Sequence, residues 1–528
     1  MTERLSGIFK KTFMKRLALY TIIIAAFHSC TGSRPVSGGD DNKITLTFVQ
    51  INDVYEIGPL ENGNAGGMAR VATLKKKYRE KNPNTFLVMA GDFLSPSVYN
   101  SLQYEGKRIR GRQMVEAMDA AGTDIAVFGN HEFDISENEL QSRLNESQFL
   151  WVSSNSFHKR GDVISPFTKE KPNGVEIIQP YYLMKVRDAD GTVATVGFIG
   201  ITLPFNKAPY VSYTDPLTTA EKIYNQIKDS CDAVVAITHQ SINDDILLAK
   251  KLPNLAMIIG GHEHDQRFQK VGNVLITKAH ANAKSAYILN LRINKTNRTA
   301  KVISSLESIN ADIPFDPSTD SVVKKWTSIA EKSYAQLGFD SKKLVRMAGE
   351  PLDGREGEIR NRPTNLSRII ISGIEAAAPQ ADLAIVNSGS IRVDDILQMP
   401  ISEYDILRTL PFGGSIVEVD MKGSLLLQVL QAGHKNKGIG GFLHYSPALT
   451  FEAIETMPSW KLNGQEISKE KTYRVALTDF LLTGGEANME FLKADHPGMV
   501  KIYETPKEIT DPRSDIRLAV IKYLRSRP

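Results

Sequence analysis

A chain of 528 residues with 41% apolar and 23% charged side chains is too long for one core, because single cores stop growing at about 250–300 residues. Its composition is too ordinary for a disordered or multi-span membrane protein. The formal net charge of +4 is small for this length and argues against a nucleic-acid binder driven by counterion release, which needs a concentrated basic face.

Residues 1–30 have the layout of an export leader. Lys10, Lys11, Lys15 and Arg16 precede an apolar run over 17–27, too short to span a bilayer, and His28, Ser29 and Cys30 follow it. A small residue before a cysteine at this point resembles a bacterial lipobox, which implies a lipid anchor at Cys30 and a location in the bacterial periplasm or cell envelope. Phe27 departs from the usual aliphatic residue of that motif, and plain secretion or an uncleaved anchor are the alternative readings. Residues 31–43 are polar and rich in Gly and Ser, which reads as a flexible tether. With Cys30 acylated or removed, Cys231 is alone. No internal disulfide or cysteine cluster is then possible, and any metal site must be built from His, Asp, Asn and water.

From 44 to 308 short β-branched runs alternate with amphipathic stretches. The runs LTFVQI (46–51), TFLVMA (85–90), DIAVFG (124–129), ATVGFIGIT (194–202), DAVVAIT (232–238) and LAMIIGG (255–261) read as strands, and MARVATLKKKYREK (68–81) and TTAEKIYNQIKDS (218–230) read as helices. The pattern predicts an α/β sheet covered on both faces. Five of these runs end in polar residues of ligand type: NDVY, GDF, GNHEFD, THQS and GGHEHD. In open α/β sheets ligands bind beyond the carboxyl ends of the strands. Asp53, Asp92, Asn130, His131, His239, His262 and His264 all occupy such ends. One such residue is an ordinary turn or cap; seven point to a site. Residues 309–345 carry prolines and an N-cap cluster ahead of one long helix and read as a connector. A second domain over 346–528 follows, with helix TNLSRIIISGIEAAAP, strand ADLAIVNSG, helix SLLLQVLQAG and strand TYRVALTDF.

Asp, Asn and His without thiolates suit two adjacent divalent cations such as Zn²⁺ or Mn²⁺, and paired cations of this kind serve phosphate-ester hydrolysis. GDF, GNHEFD and GGHEHD resemble the calcineurin-like metallophosphoesterases and, more narrowly, the 5′-nucleotidase family. The resemblance implies an αββα sandwich over 44–308 and a substrate-binding α/β domain over 346–528. It implies Asp92 as the carboxylate bridging two metals, Asn130, His239 and His262 on one metal, and Asp53 and His264 on the other. It implies His131 as the catalytic, non-ligand histidine, oriented by Asp134.

Family members usually carry D-x-H where this chain has Asp53, Val54 and Tyr55, and three readings compete. Tyr55 or a water takes the vacant ligand position, or His280 fills in from beyond the run VLIT, or the site holds one metal and hydrolyses poorly. The first is favoured because the other ligand positions and the His131–Asp134 pair are intact.

In the second domain, Arg360 and Arg362 precede a helix that Pro363 and Thr364 start, an arrangement suited to an anion. NSGSIR, LPFGG and TDFLLTGGE resemble the family's substrate motifs in order and separation. That resemblance implies a base clamped between Phe412 and Phe480, with Arg360, Asn387 and Arg392 towards the phosphate and ribose. Glu486 stands where the family binds ribose hydroxyls with an aspartate. The implied substrate is a 5′-nucleotide held in an interdomain cleft. Nucleotide sugars or 2′,3′-cyclic nucleotides remain as alternative substrates, and a weakly catalytic nucleotide-binding surface protein as an alternative role.

Overall fold

The computed structural model describes residues 41–205, 208–452 and 459–526; the leader and the expected anchor at Cys30 lie outside the described residues. The apolar runs form strands, but they divide between two sheets. In the first, Lys43–Ile51, Thr85–Met89 and Ile125–Ala126 run parallel. Leu150–Trp151 extends one side, and the antiparallel Ser285–Asn294 and Thr299–Ser308 extend the other. In the second, Val193–Thr202, Ala233–His239, Met257–Gly261 and Val274–Lys278 are the parallel centre, edged by Tyr181–Arg187 and Arg267–Val271.

Side-chain alternation explains why these strands read as continuous apolar runs. Leu46, Phe48 and Val88 of the first sheet meet Val196, Phe198, Val235 and Ile237 of the second in a core between the sheets. Their neighbours Val49, Ile51, Leu87 and Met89 face the helices Met68–Lys81 and Arg112–Ala121. Ile199, Ile201, Val234 and Ala236 face Pro216–Ile227 and Ile242–Lys251. Each sheet is thus covered once by helices and once by the other sheet, which gives the αββα sandwich. Pro216–Ile227 starts where Asp215 accepts from the Thr218 backbone N–H with proline in the first turn, a start that satisfies one donor the helix cannot.

The second domain folds around a five-stranded sheet in the order Leu443–Tyr445, Leu383–Asn387, Thr472–Thr478, Ile416–Lys422, Met499–Ile502. Helix Asn365–Ala377, capped by Thr364, and helix Gly423–Lys435 flank it. The long helix between the domains spans Pro317–Gln336 and is capped by Asp316. It lies against Met68–Lys81 and Arg112–Ala121 of the first domain. Trp326 is fully buried there, with its indole N–H donating to Glu116 at 2.9 Å and its ring 5.2 Å from that of Tyr104. One apolar core continues through Trp326, Tyr334 and Phe339 to Leu366, Ile370 and Val520 of the second domain. Replacing Trp326 by Ala is expected to destabilise the chain by about 3–5 kcal/mol, read as a lowered urea midpoint. An unchanged midpoint would show that this helix is not anchored by its tryptophan.

Candidate active site

The parallel strands of both sheets end on the same side, and the residues that follow them converge. Asp53 comes two residues after the end of the first strand, Asp92 after the second, His239 ends Ala233–His239, and His262 and His264 follow Met257–Gly261. Asp53, Asp92, His262 and His264 have φ of 52°, 57°, 97° and 60°. The left-handed region is uncommon for such residues, and clusters of it mark functional sites. Close approach also dictates two glycines. A Cβ on Gly129 would lie 2.0 Å from Asp92 Oδ1, and one on Gly91, itself at φ 81°, would lie 2.6 Å from His239 Nδ1.

Asp53, Asp92 and His239 present ligand atoms within 4.8 Å of one another, all three residues buried. The His239 Nδ1–H donates to the Ala90 carbonyl at 2.8 Å. Its Nε2 therefore faces Asp92 Oδ2 at 3.0 Å and Asp53 Oδ1 at 3.7 Å. Asp53 Oδ1, Asn130 Oδ1 and His239 Nε2 are nevertheless buried without a hydrogen-bond partner. Buried polar atoms are normally satisfied, and Asp53 Oδ1 and His239 Nε2 stand only 3.7 Å apart, so these orphaned atoms fit a divalent cation. Burial disfavours the charged imidazole of His239, but Asp92 and Asp53 outweigh it and raise its pKa to about 9. For His262, burial and the neighbouring His239 charge prevail and lower the pKa to about 4. His262 places its ring 5.4 Å from that of His239, and its backbone N–H donates to Asp53 Oδ2 at 2.9 Å.

Tyr55 enters this cluster. Its hydroxyl is 2.8 Å from His264 Nε2 and 3.3 Å from Asp92 Oδ2. Burial and the carboxylates of Asp92 and Asp53 raise its pKa well above the usual phenol range, which keeps it a neutral donor. His280 lines a cavity with His262 and His264, but its Nδ1 is held by Ser285 Oγ at 2.9 Å and it is outside the three-residue cluster.

His131 Nδ1 is 2.7 Å from Asp134 Oδ2, which also accepts from Ser95 Oγ at 3.2 Å and lies 3.8 Å from Arg392 of the second domain. Burial opposes the charged ring, but Asp134 and Asp92 raise the His131 pKa above its ordinary value. Asp134, Asn387, Arg392, Phe412, Phe480 and Glu486 line one interdomain cavity of about 1100 Å³. Phe412 is 61% exposed and Phe480 44%, large values for aromatic rings inside a cleft. Glu486 accepts from the Asn387 amide at 2.6 Å. Arg360 lies apart from these, in a second cavity of about 610 Å³ that His262 and His264 also line. Arg362 is an exposed partner of Glu358 and lines neither cavity, so the two arginines ahead of the helix do not face one cavity together.

Two residues that the motifs did not single out matter to the geometry. Glu132, in the middle of GNHEFD, is fully buried and accepts backbone N–H groups from Asp92, Phe93, Leu94 and Gly129 at 2.5–3.0 Å. It ties together the turns that carry Asp92 and Asn130. Its position inside the motif was its only signal. Asp394 reaches from the second domain to His264 Nδ1 at 2.6 Å, with no signal in the sequence. Glu132→Gln puts an amide among N–H donors and is expected to lower the stability of chelator-treated protein by about 1–3 kcal/mol. A melting point equal to that of the parent chain would remove Glu132 as the tie.

Family models for the calcineurin-like phosphoesterases and the 5′-nucleotidase C-terminal domain match residues 46–266 and 344–494. The trifunctional nucleotide phosphoesterase protein YfkN of Bacillus subtilis is 26% identical over 85% of this chain, which spans only 32% of that protein. Bovine 5′-nucleotidase is 24% identical, with 84% of this chain and 83% of the relative covered. Among solved structures, the 5′-nucleotidase precursor of Thermus thermophilus superposes with a TM-score of 0.66 at 22% identity, covering 92% of this chain and 96% of that one. The chain belongs to the calcineurin-like phosphoesterases that carry a 5′-nucleotidase C-terminal domain.

Proposed function

We propose that the chain is an exported, metal-dependent phosphomonoesterase that hydrolyses 5′-nucleotides to nucleoside and phosphate. The observation that carries the reading is the shared cleft: the Asp134 that holds His131 lines the same 1100 Å³ cavity as Phe412, Phe480 and Glu486. A nucleotide whose base lies between the two rings would share this cavity with Asp134 and Arg392. Export rests on the leader at 1–30, and the lipid anchor on Cys30.

Asp92, Asn130, His239 and His262 would hold one divalent cation, Zn²⁺ or Mn²⁺, and Asp53, Asp92 and His264 a second. Such a pair polarises a phosphoryl group and makes water a nucleophile at neutral pH. The protein's own groups do the rest. Asp134 holds the His131 imidazole so that its other nitrogen is free to meet phosphoryl charge or to protonate the leaving oxygen. Arg392 and Arg360 supply positive charge from the second domain, Phe412 and Phe480 stack on the base, and the Asn387–Glu486 pair meets the ribose. The Tyr55 hydroxyl is in contact with His264 Nε2 and Asp92 Oδ2, which supports the reading that the tyrosine or a water takes the position of the absent family histidine.

Chelation is expected to abolish phosphate release from AMP and added Mn²⁺ or Zn²⁺ to restore it. His131→Ala should keep its metals and lose turnover by about 10²–10⁴-fold, as for a general acid or charge stabiliser; loss of metal instead would make His131 a ligand. Phe412→Ala with Phe480→Ala should raise the nucleotide KM, and an unchanged KM would remove the clamp. Nucleotide-induced stabilisation without release from AMP, UDP-glucose or a cyclic nucleotide would replace the enzyme reading with that of a binding protein.

A further inference from the structure

We propose that Asp394, from the second domain, is a positioning residue for His264, so that the cation site on the Asp53 side is complete only with the second domain in place. The inference rests on the metal-site reading above. His264 has its two ring nitrogens engaged on opposite sides. Nε2 faces the cluster, 2.8 Å from the Tyr55 hydroxyl and 3.5 Å from Asp53 Oδ1, while Nδ1 is 2.6 Å from Asp394 Oδ2. A ligating imidazole gives one nitrogen to the ion and donates the other N–H to a carboxylate, which fixes the ring and raises its basicity. Nε2 is the nitrogen nearest Asp53, so the Nδ1–H falls to Asp394.

Asp394 is itself fixed rather than flexible. Its backbone is left-handed at φ 36°, and its other carboxylate oxygen accepts the Glu356 backbone N–H. The same loop carries Arg392 to Asp134, so one short segment of the second domain touches the partner of His131 and, through Asp394, His264 itself. The next residue, Asp395, pairs instead with Lys284 at 2.6 Å and Arg408 at 3.6 Å. It serves as a natural control, with the same charge in the same loop and no contact with His264.

The test uses the full chain, stripped of metal and titrated with Mn²⁺ alone in competition with a chelator. Asp394→Asn is expected to weaken Mn²⁺ binding at one site about 10–100-fold, with the melting point of the stripped protein unchanged. The double variant with His264→Gln should lose no more affinity than His264→Gln alone, because Asp394 acts through that ring. Asp395→Asn should bind as the parent does. Parental affinity in Asp394→Asn, additive losses in the double variant, or an equal loss in Asp395→Asn overturns the inference and leaves the metal-site reading standing. A parent chain that binds no Mn²⁺ overturns both.

Discussion

Everything at the site depends on holding two carboxylates and several imidazoles together out of water. Asp53 and Asp92 are essentially unexposed, and burying like charges side by side is costly unless opposite charge compensates. Within the protein that compensation comes from His239, which Asp92 and Asp53 keep protonated to about pH 9, and in return Asp53 is held below the usual carboxylate range despite its burial. A divalent cation supplies the same compensation without a proton. It also meets the oxygen atoms on Asp53 and Asn130 that no protein group satisfies.

That charge is held by a framework arranged to present it. The turns after the strands are bound to one another by backbone and carboxylate contacts: Asp53 N–H to the Gly91 carbonyl at 3.0 Å, His131 N–H to Asp92 Oδ1 at 2.8 Å, and Glu132 to four further N–H groups. Behind the His262 turn a buried Lys278 lies 2.9 Å from Asp245 and 2.6 Å from Glu263. Removing one partner from such a group strands a buried charge, at a cost of about 3–5 kcal/mol. Positive φ at four of the converging residues is tolerable because these contacts leave the turns no alternative.

What the sequence revealed follows from how local each signal is. Strands were readable because Val and Ile dominate runs such as DAVVAIT, and their polar ends were readable because the next residues are His and Asp. The division into two sheets was not visible in the runs themselves, since alternation looks the same whether a strand's far face meets a helix or another sheet. Glu132 was hidden in plain view, as a motif residue whose work is done through four backbone groups up to 40 positions away. Asp394 was unreadable, because only the docking of two domains brings it to a histidine 130 positions earlier. The helix Pro317–Gln336 was readable as a helix. Its seating on the first domain through Trp326 was not, and that seating makes it part of the first domain's surface rather than a free linker.

The tyrosine at position 55 shows how one substitution is absorbed by its surroundings. A histidine there would offer a nitrogen lone pair, whereas the Tyr55 phenol, held neutral by burial and two carboxylates, offers a proton and only the weaker lone pairs of a neutral oxygen. A donor needs an acceptor, and the Asp92 Oδ2 carboxylate oxygen accepts from it at 3.3 Å, with His264 Nε2 in contact at 2.8 Å. Burial disfavours a charged His264 ring, but Asp394 at 2.6 Å from Nδ1, together with Asp53, raises its pKa well above the ordinary value. A chain of contacts thus runs from Asp394 through His264 and Tyr55 to Asp92, joining the second domain to the centre of the cluster. The residue that departs from the family pattern lies within that chain, which is why its chemistry has to be judged together with the domain interface and not from the D-x-Y motif alone.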